Sequence, residues 1–317
     1  MKINIRKVLA IACTLSILTT VVYSSSVFTT AQATPETTES IEIEEYNCDT
    51  GETREYTFEY DSIDINAPGA DEMLTSYSDE NVLNNITLEG SAIASPFTLL
   101  PGDAAPYRVD ATTSPHSKVL FIKTRFPEAE DGKTYWGYGT AFMVAPDVAL
   151  TAAHNVQQDF LGYATRMHAH KKYQSSIDPE TGTQPLRWSL PTNYTQGGDL
   201  SYDWCIIKFS GNMGLGYFNY QVPKSNTEVY VNGYPQASEY TYYQYRNGGV
   251  FRLCSDGRMF DHSCSTLGGQ SGGPAYKTNG TVIGIHTQGQ RNSSDSYNHG
   301  CIITQGLYNL IEKVKTE

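Results

Sequence analysis

The stretch Gly268–Pro274 (GGQSGGP) decides how the rest of the chain is interpreted. A serine hydroxyl is a weak nucleophile at neutral pH and needs an adjacent base. Glycines on both sides of Ser271 let the backbone turn tightly, which makes the amides of Gly269 and Ser271 candidates for an oxyanion hole. Such a segment alone is more often a simple turn. The prediction of a nucleophile therefore depends on partners elsewhere in the chain.

A histidine and an aspartate that could be those partners lie upstream, each beside an apolar segment. His154 follows an apolar strand that ends at Leu150 and the small residues of 151–153 (TAA), which would let an imidazole approach a serine closely. Asp203 precedes the apolar run 204–207 (WCII), where a carboxylate is costly to bury unless it accepts hydrogen bonds. Asp199 is the alternative, but it follows two glycines and is expected on an exposed loop. We therefore predict the set His154, Asp203 and Ser271.

The order of these three residues along the chain is that of chymotrypsin-type proteases, and it differs from the order in subtilisins and α/β-hydrolases. Together with 151–154 (TAAH) and 269–274 (GQSGGP), it makes the chain resemble chymotrypsin-like serine endopeptidases, and most closely the secreted bacterial glutamyl endopeptidases. The resemblance extends over residues 108–317. The further segments that carry it are 202–204 (YDW), 216–218 (GYF), 232–235 (NGYP), 284–287 (GIHT) and 296–304 (SYNHGCIIT).

The resemblance implies a mechanism and a specificity. His154 would take the proton of Ser271, Asp203 would orient the imidazole, and an acyl-enzyme would be hydrolysed by water. Thr266 and His286 fall where glutamyl endopeptidases bind the substrate carboxylate, so cleavage after Glu, and less well after Asp, is expected. Gln270 replaces the Asp that precedes the serine in trypsin-type enzymes, so activation should not require an ion pair with a new N-terminus.

The fold class expected is all-β. Short apolar runs alternate with turn signals and lack helical patterns between them, which is typical of a barrel or sandwich. The resemblance makes this two six-stranded antiparallel β-barrels with the active site in the cleft between them. Apolar residues at 307, 310, 311 and 314 have helical spacing and predict a C-terminal helix. The runs expected as strands are 119–123, 140–144, 148–151, 204–209, 228–232, 240–245, 281–286 and 301–304.

The N-terminal third has a different character from the body. A basic start, an apolar stretch over 8–22 and Ala31-Gln32-Ala33 predict a signal peptide over 1–33, because about 15 apolar residues fall short of the ~20 that a membrane span needs. Residues 1–100 carry a net charge of −12, whereas 101–317 are neutral. We interpret 34–100 as an acidic propeptide that ends between residues 89 and 104, and 101–317 as the catalytic domain. Glu89-Gly90 is a candidate self-cleavage bond, and a retained N-terminal domain is the alternative.

The sequence also limits the partners, cofactors and disulfides that we expect. A neutral body gives no reason to expect nucleic-acid binding. The resemblance implies polypeptide substrates, and the predicted signal peptide implies a secreted, extracellular protein without a membrane anchor, which we expect to be a monomer. No Cys or His spacing indicates a metal, and no cofactor is expected. Secretion permits disulfides among Cys205, Cys254, Cys264 and Cys301, with the pairing open. The alternatives are a protease of other specificity and a non-catalytic binding protein on the same fold.

Overall fold

The structure, a computed structural model, describes residues 35–66, 70, 106–128, 132–174, 181–236, 243–291 and 295–317. The predicted signal peptide, the Glu89-Gly90 bond and the predicted end of the propeptide lie outside these residues. The strands are β1 Pro35–Asn47, β2 Thr53–Ile63, β3 Tyr107–Arg108, β4 Val119–Glu128, β5 Thr134–Ala145, β6 Val148–Thr151, β7 Gln157–Gln158, β8 Gly162–Tyr163, β9 Arg166–Lys171, β10 Arg187–Pro191, β11 Cys205–Lys208, β12 Thr227–Gly233, β13 Tyr245–Leu253, β14 Met259–His262, β15 Pro274–Lys277, β16 Val282–Gln288 and β17 Asn298–Ile302. The helices are α1 Thr192–Thr195 and α2 Gln305–Thr316, with 3-10 turns at His116–Lys118, Ala153–Asn155 and Leu200–Tyr202.

Two antiparallel sheets make up the body. The first has eight strands in the order β2-β1-β10-β11-β6-β5-β4-β9. The second runs β12-β15-β16-β17-β14-β13-β3, and pairing of β12 with β13 closes six of its strands into a barrel. The all-β architecture with a C-terminal helix is thus confirmed, and one of the two expected barrels is closed. The first sheet contains six strands of the body, to which residues 35–63 add two more at its edge, but no pairing among the described residues closes it into a second barrel.

The central strands of the first sheet are apolar along almost their whole length because both faces are covered. Alternate residues of β4 enter two different clusters: Val119 and Phe121 pack on one side, and Leu120 and Ile122 on the other. The same alternation continues through β5 and β6. A strand that buries both faces reads as a continuous hydrophobic run, which explains why these strands were readily predicted from the sequence.

The C-terminal helix packs its predicted face against the first of these clusters. Leu307, Leu310, Ile311 and Val314 are all buried there. The hydroxyl of Thr304 caps the helix by accepting a hydrogen bond from the Leu307 amide at 3.2 Å. No helix in the described part of the chain is long and apolar enough to cross a membrane.

The described cysteines do not form the disulfides that the sequence led us to expect. No disulfide links any of the five described cysteines, Cys48, Cys205, Cys254, Cys264 and Cys301. Cys254 and Cys264, the two that lie nearest each other in sequence, contact different groups: the Asp261 carboxylate and the Val229 carbonyl.

Candidate active site

Strand pairing brings His154 and Asp203 together. Strands β6 and β11 are antiparallel, with Thr151 at the end of β6 opposite Cys205 at the start of β11. The chain leaves β6 into the 3-10 turn that holds His154, and it enters β11 directly after Asp203. Residues 49 positions apart in sequence therefore meet at one end of the first sheet.

The Asp203 carboxylate holds the His154 ring through two hydrogen bonds. Oδ2 lies 2.7 Å from Nδ1 of the imidazole, and Oδ1 accepts from the His154 backbone amide at 3.0 Å. The Asp203 side chain is 1% exposed. Burial opposes the charged imidazole, but the adjacent carboxylate and its hydrogen bond outweigh burial and raise the pKa of His154. Nδ1 thus carries a proton, which leaves Nε2 as the acceptor.

The alternative aspartate has a local structural role. The Asp199 carboxylate caps the Leu200–Tyr202 turn by accepting a hydrogen bond from the Ser201 amide at 2.9 Å. This turn ends at Asp203 and so helps to position the buried carboxylate. Of the two candidates, only Asp203 contacts His154.

Two glycines give the loop that carries Ser271 a backbone conformation and a close packing that would strain any residue with a Cβ. Gly272 has a φ of +87°, and a Cβ there would lie 2.1 Å from the Thr140 carbonyl oxygen. Gly269 has a φ of +94°, and a Cβ there would lie 2.7 Å from the Tyr234 carbonyl oxygen. Within the described part of the chain, the amides of Gly269 and Ser271 donate no hydrogen bond to another protein group. Two N–H groups of this loop are thus left without a protein acceptor, which is the condition that an oxyanion hole requires.

Ser271 is anchored by its backbone, while its hydroxyl is engaged weakly. Its carbonyl oxygen accepts from the amide of Thr140 and from Nδ2 of Asn155, both at 2.9 Å. Because Asn155 directly follows His154, this side chain ties the histidine turn to the serine loop. The Ser271 hydroxyl donates to the Thr287 carbonyl at 3.2 Å and forms no hydrogen bond with His154.

Gln270 stabilises the loop from inside. Its side-chain oxygen accepts from the Leu267 amide at 2.9 Å, and its backbone amide donates to the Leu267 carbonyl. The residue is fully buried. A neutral amide side chain therefore stabilises the serine loop at the position where trypsin-type enzymes carry the Asp of an ion pair.

His286 lies beside the serine loop. Its backbone amide donates to the Gly273 carbonyl at 2.8 Å, and its carbonyl accepts from the Gly272 amide at 2.7 Å. Burial, followed by the charge of nearby His154, lowers the pKa of His286 to about 3. The imidazole is thus neutral over the physiological range. Thr266, the other predicted pocket residue, accepts from Nδ2 of Asn298 at 2.9 Å and so is linked to β17 of the barrel.

Two histidines behind His286 were not singled out from the sequence. Nε2 of His262 lies 3.0 Å from Nδ1 of His286, and burial followed by the charges of His286 and His299 holds the pKa of His262 well below its ordinary value. His299 bonds Asp261 at 2.8 Å and Asp295 at 2.7 Å. Only strand register could have revealed the group, because β14 and β17 pair His262 with Asn298 and Asp261 with His299.

Comparison with known proteins agrees with this arrangement. Residues 139–285 match the family described as "Trypsin-like peptidase domain". The chain is 27% identical over 222 residues to "Extracellular metalloprotease" of Bacillus subtilis, covering 65% of this chain and 66% of that protein. It is 26% identical over 228 residues to "Glutamyl endopeptidase" of Staphylococcus aureus, covering 68% and 63%. The match thus spans less than two thirds of either relative's length.

Solved structures share the fold at low sequence identity. A glutamyl endopeptidase in complex with MPD superposes with a TM-score of 0.58 at 21% identity, covering 69% of this chain and all of that one. The protease Anisep from Arthrobacter nicotinovorans gives a TM-score of 0.52 at 18% identity, covering 63% of this chain and 96% of that one.

Proposed function

We propose that this chain, which belongs to the chymotrypsin-like serine proteases of the glutamyl endopeptidase type, is a secreted endopeptidase that cuts after Glu and less well after Asp. One observation carries the proposal. A buried carboxylate orients His154, and the glycine loop beside it leaves two amides unpaired around Ser271.

The proposed reaction divides the work among these groups. With Nδ1 protonated and held by Asp203, Nε2 of His154 accepts the Ser271 proton as Oγ attacks the substrate carbonyl carbon. The amides of Gly269 and Ser271 stabilise the negative charge that develops on the carbonyl oxygen. His154 then gives its proton to the leaving amine. Water, activated by the same imidazole, hydrolyses the acyl-enzyme and restores Ser271.

The neutral histidine pair supports a preference for an acidic side chain. If Nε2 of His262 donates to Nδ1 of His286, the proton of His286 resides on its own Nε2 and is available to a substrate carboxylate. The Thr266 hydroxyl accepts from Asn298, so it retains its own O–H for donation. Both groups offer charge-assisted hydrogen bonds to a Glu side chain. A Lys or Arg side chain would meet no carboxylate among these pocket residues.

The proposed life cycle follows from the first third of the sequence. Residues 1–33 direct secretion and are removed, and the acidic segment 34–100 is separated from the catalytic domain by cleavage between residues 89 and 104. Glu89-Gly90 suits an enzyme with the proposed specificity. The mature protein acts as a monomer on polypeptides and needs no cofactor.

There are two alternatives, a non-catalytic binding protein on this fold and a protease that uses a metal. The second is considered because the Bacillus subtilis relative is named "Extracellular metalloprotease". No group of three or more His, Cys, Asp or Glu side chains in the described residues could hold a metal ion. An organophosphonate probe should label the wild-type protein and not Ser271→Ala. That variant should also lose on the order of a million-fold in kcat.

Failure of the probe to label folded wild-type protein, or activity of more than a few per cent in Ser271→Ala, would refute the serine mechanism. A peptide-library cleavage profile tests specificity separately. Enrichment of Glu, then Asp, before the cut bond is the expected result, and any other dominant residue contradicts the proposed pocket.

A further inference from the structure

Residues 35–63 form a hairpin that is built into the first sheet. Strand β1 pairs with β10 over five register positions, from Ile43 opposite Pro191 to Asn47 opposite Arg187. The Cys48 amide continues the ladder to the Leu186 carbonyl at 2.8 Å. On its other side β1 pairs with β2. The hairpin thus covers an edge of β10 that would otherwise expose unpaired backbone groups.

Apolar side chains of the hairpin belong to the body's core. Ile43 is fully buried in the cluster that also contains Leu310 and Ile311 of the C-terminal helix. The Tyr46 ring stacks on Trp188 with centroids 4.8 Å apart and on Tyr163 at 5.4 Å. Removing the hairpin would therefore expose aromatic and aliphatic surface that the body has no other means to cover.

Charges make the attachment specific. The Glu45 side chain, 8% exposed, forms an ion pair with Arg187, with Oε2 3.1 Å from Nε, and accepts a hydrogen bond from Nε of Arg54 in its own hairpin at 2.9 Å. Arg187 also pairs with Glu317 at the end of α2. Departure of Glu45 would leave Arg187 on β10 with only the exposed Glu317 as an ion-pair partner among the described residues.

The second strand of the hairpin is fastened to the C-terminal helix. The side chain of Gln305 donates to the Ile63 carbonyl and accepts from the Ile63 amide, the latter at 2.7 Å. At Gly306 the missing side chain makes room for Ile41, whose Cδ1 would lie 2.3 Å from a Cβ. Nζ of Lys313 lies 4.7 Å from the centroid of the Tyr56 ring. Helix and hairpin are thus fitted to one another.

The hairpin also contacts the segment that leads to the candidate catalytic aspartate. Glu44 accepts from the Thr195 hydroxyl at 2.8 Å, and Glu55 accepts from Nε2 of Gln196 at 2.9 Å. These partners lie in or directly after α1, between β10 and Asp203. The acidic residues that the sequence marks as a propeptide are therefore partly used to hold this connection in place.

We infer that residues 35–63 are a permanent sheet extension of the catalytic body, so that cutting the chain between residues 66 and 106 produces a two-piece noncovalent complex. Cleavage then breaks the covalent connection between residues 35–63 and the body, but the hairpin stays bound. The inference goes beyond the proposed function and is tested without proteolytic activity of the chain itself.

The experiment uses Ser271→Ala carrying a recognition sequence for an unrelated site-specific protease between Asn66 and Pro106. After complete cutting, the two pieces should co-elute in native size-exclusion chromatography and separate only under denaturing conditions, with a Kd below about 1 μM. Separate elution at that concentration, with the body piece still showing its folded circular-dichroism spectrum, would overturn the inference. Unfolding of the body once the hairpin is removed would support it.

A matched pair of variants on neighbouring residues separates specific docking from nonspecific association. Ile43→Ala should raise the Kd at least about 30-fold, because three buried carbons leave the shared core. Glu42→Ala should leave the Kd unchanged, since the exposed Glu42 side chain bonds only Thr57 in the same hairpin. Equal Kd values for the two cut variants would contradict docking through the Ile43 face.

Discussion

Replacing Asp203 by Asn should disable the enzyme by trapping His154 in the wrong tautomer. The buried carboxylate accepts two hydrogen bonds from His154, one from Nδ1–H and one from the backbone N–H. An Asn side chain has one acceptor and one NH₂ group. If the NH₂ faced the backbone amide, two donors would meet in a buried site, at a cost of about 1–3 kcal/mol. The amide therefore turns its NH₂ toward Nδ1, which must then accept.

The consequence is a histidine that carries its proton on Nε2, where the hydroxyl of Ser271 needs an acceptor. Because the geometry of the site is otherwise retained, the whole loss should appear in kcat. A tautomer error of this kind costs on the order of 10⁴-fold, or about 5 kcal/mol of transition-state stabilisation. The pKa of His154 should also fall, since burial lowers it and the carboxylate that raises it is gone.

The assay is kcat/KM against pH on a peptide with Glu before the cut bond. Activity of the wild type requires neutral His154, so it should fall as the pH drops through a pKa above the ordinary histidine value. In Asp203→Asn the acidic limb should move to lower pH while the plateau collapses. Asp199→Asn is the matched control, because an Asn oxygen can still cap Ser201. More than about 10% residual kcat in Asp203→Asn, or an equal loss in the control, would refute the assignment.

Two other substitutions test the serine loop and the pocket. Gly272→Ala should lower both Tm and kcat/KM, because its Cβ would lie 2.1 Å from the Thr140 carbonyl oxygen; Gly257→Ala, which has a φ of +67° and open space, measures the backbone strain alone. A Tm change no larger than that of the control would contradict the close approach. His286→Ala should reduce cleavage after Glu far more than acylation of Ser271 by a small non-specific reagent. It should also leave the acidic limb of the pH profile in place, since the pKa of His286 is about 3. Equal losses in both reactions would make His286 structural.

The sequence predicted the body well because its decisive signals are local. The glycine loop around Ser271, the small residues before His154 and the apolar run after Asp203 each reflect a constraint within a few residues. Strands β4 to β6 are also recognised locally, because burial of both faces makes them continuous apolar runs. What brings the three segments together is strand pairing, and here only the resemblance to a family supplied the order of the strands.

Where distant contacts decide the structure, local composition is a poor guide. Asn247-Gly248-Gly249 has the composition of a turn, yet it lies in the middle of β13. A Cβ at Gly248 would lie 3.0 Å from the Tyr230 ring, and one at Gly249 would lie 2.7 Å from the Cys264 amide. The glycines allow neighbouring strands to approach closely and do not reverse the chain. The histidines behind the pocket escaped prediction in the same way, since only register brings them together.

The hairpin adds two strands to the first sheet, and the positions of its glutamates explain how an acidic segment is compatible with the proposed specificity for Glu. Glu44 and Glu45 lie in β1, which is hydrogen-bonded on both sides, and Glu55 and Glu59 lie in its partner β2. A protease must bind its substrate as an extended strand with free backbone groups, so glutamates inside a paired sheet are poor substrates even at this density. Glu89 lies outside the hairpin. Under the proposed specificity, the segment that contributes strands to the body is thus protected by its own folding, and cleavage is directed to glutamates beyond it.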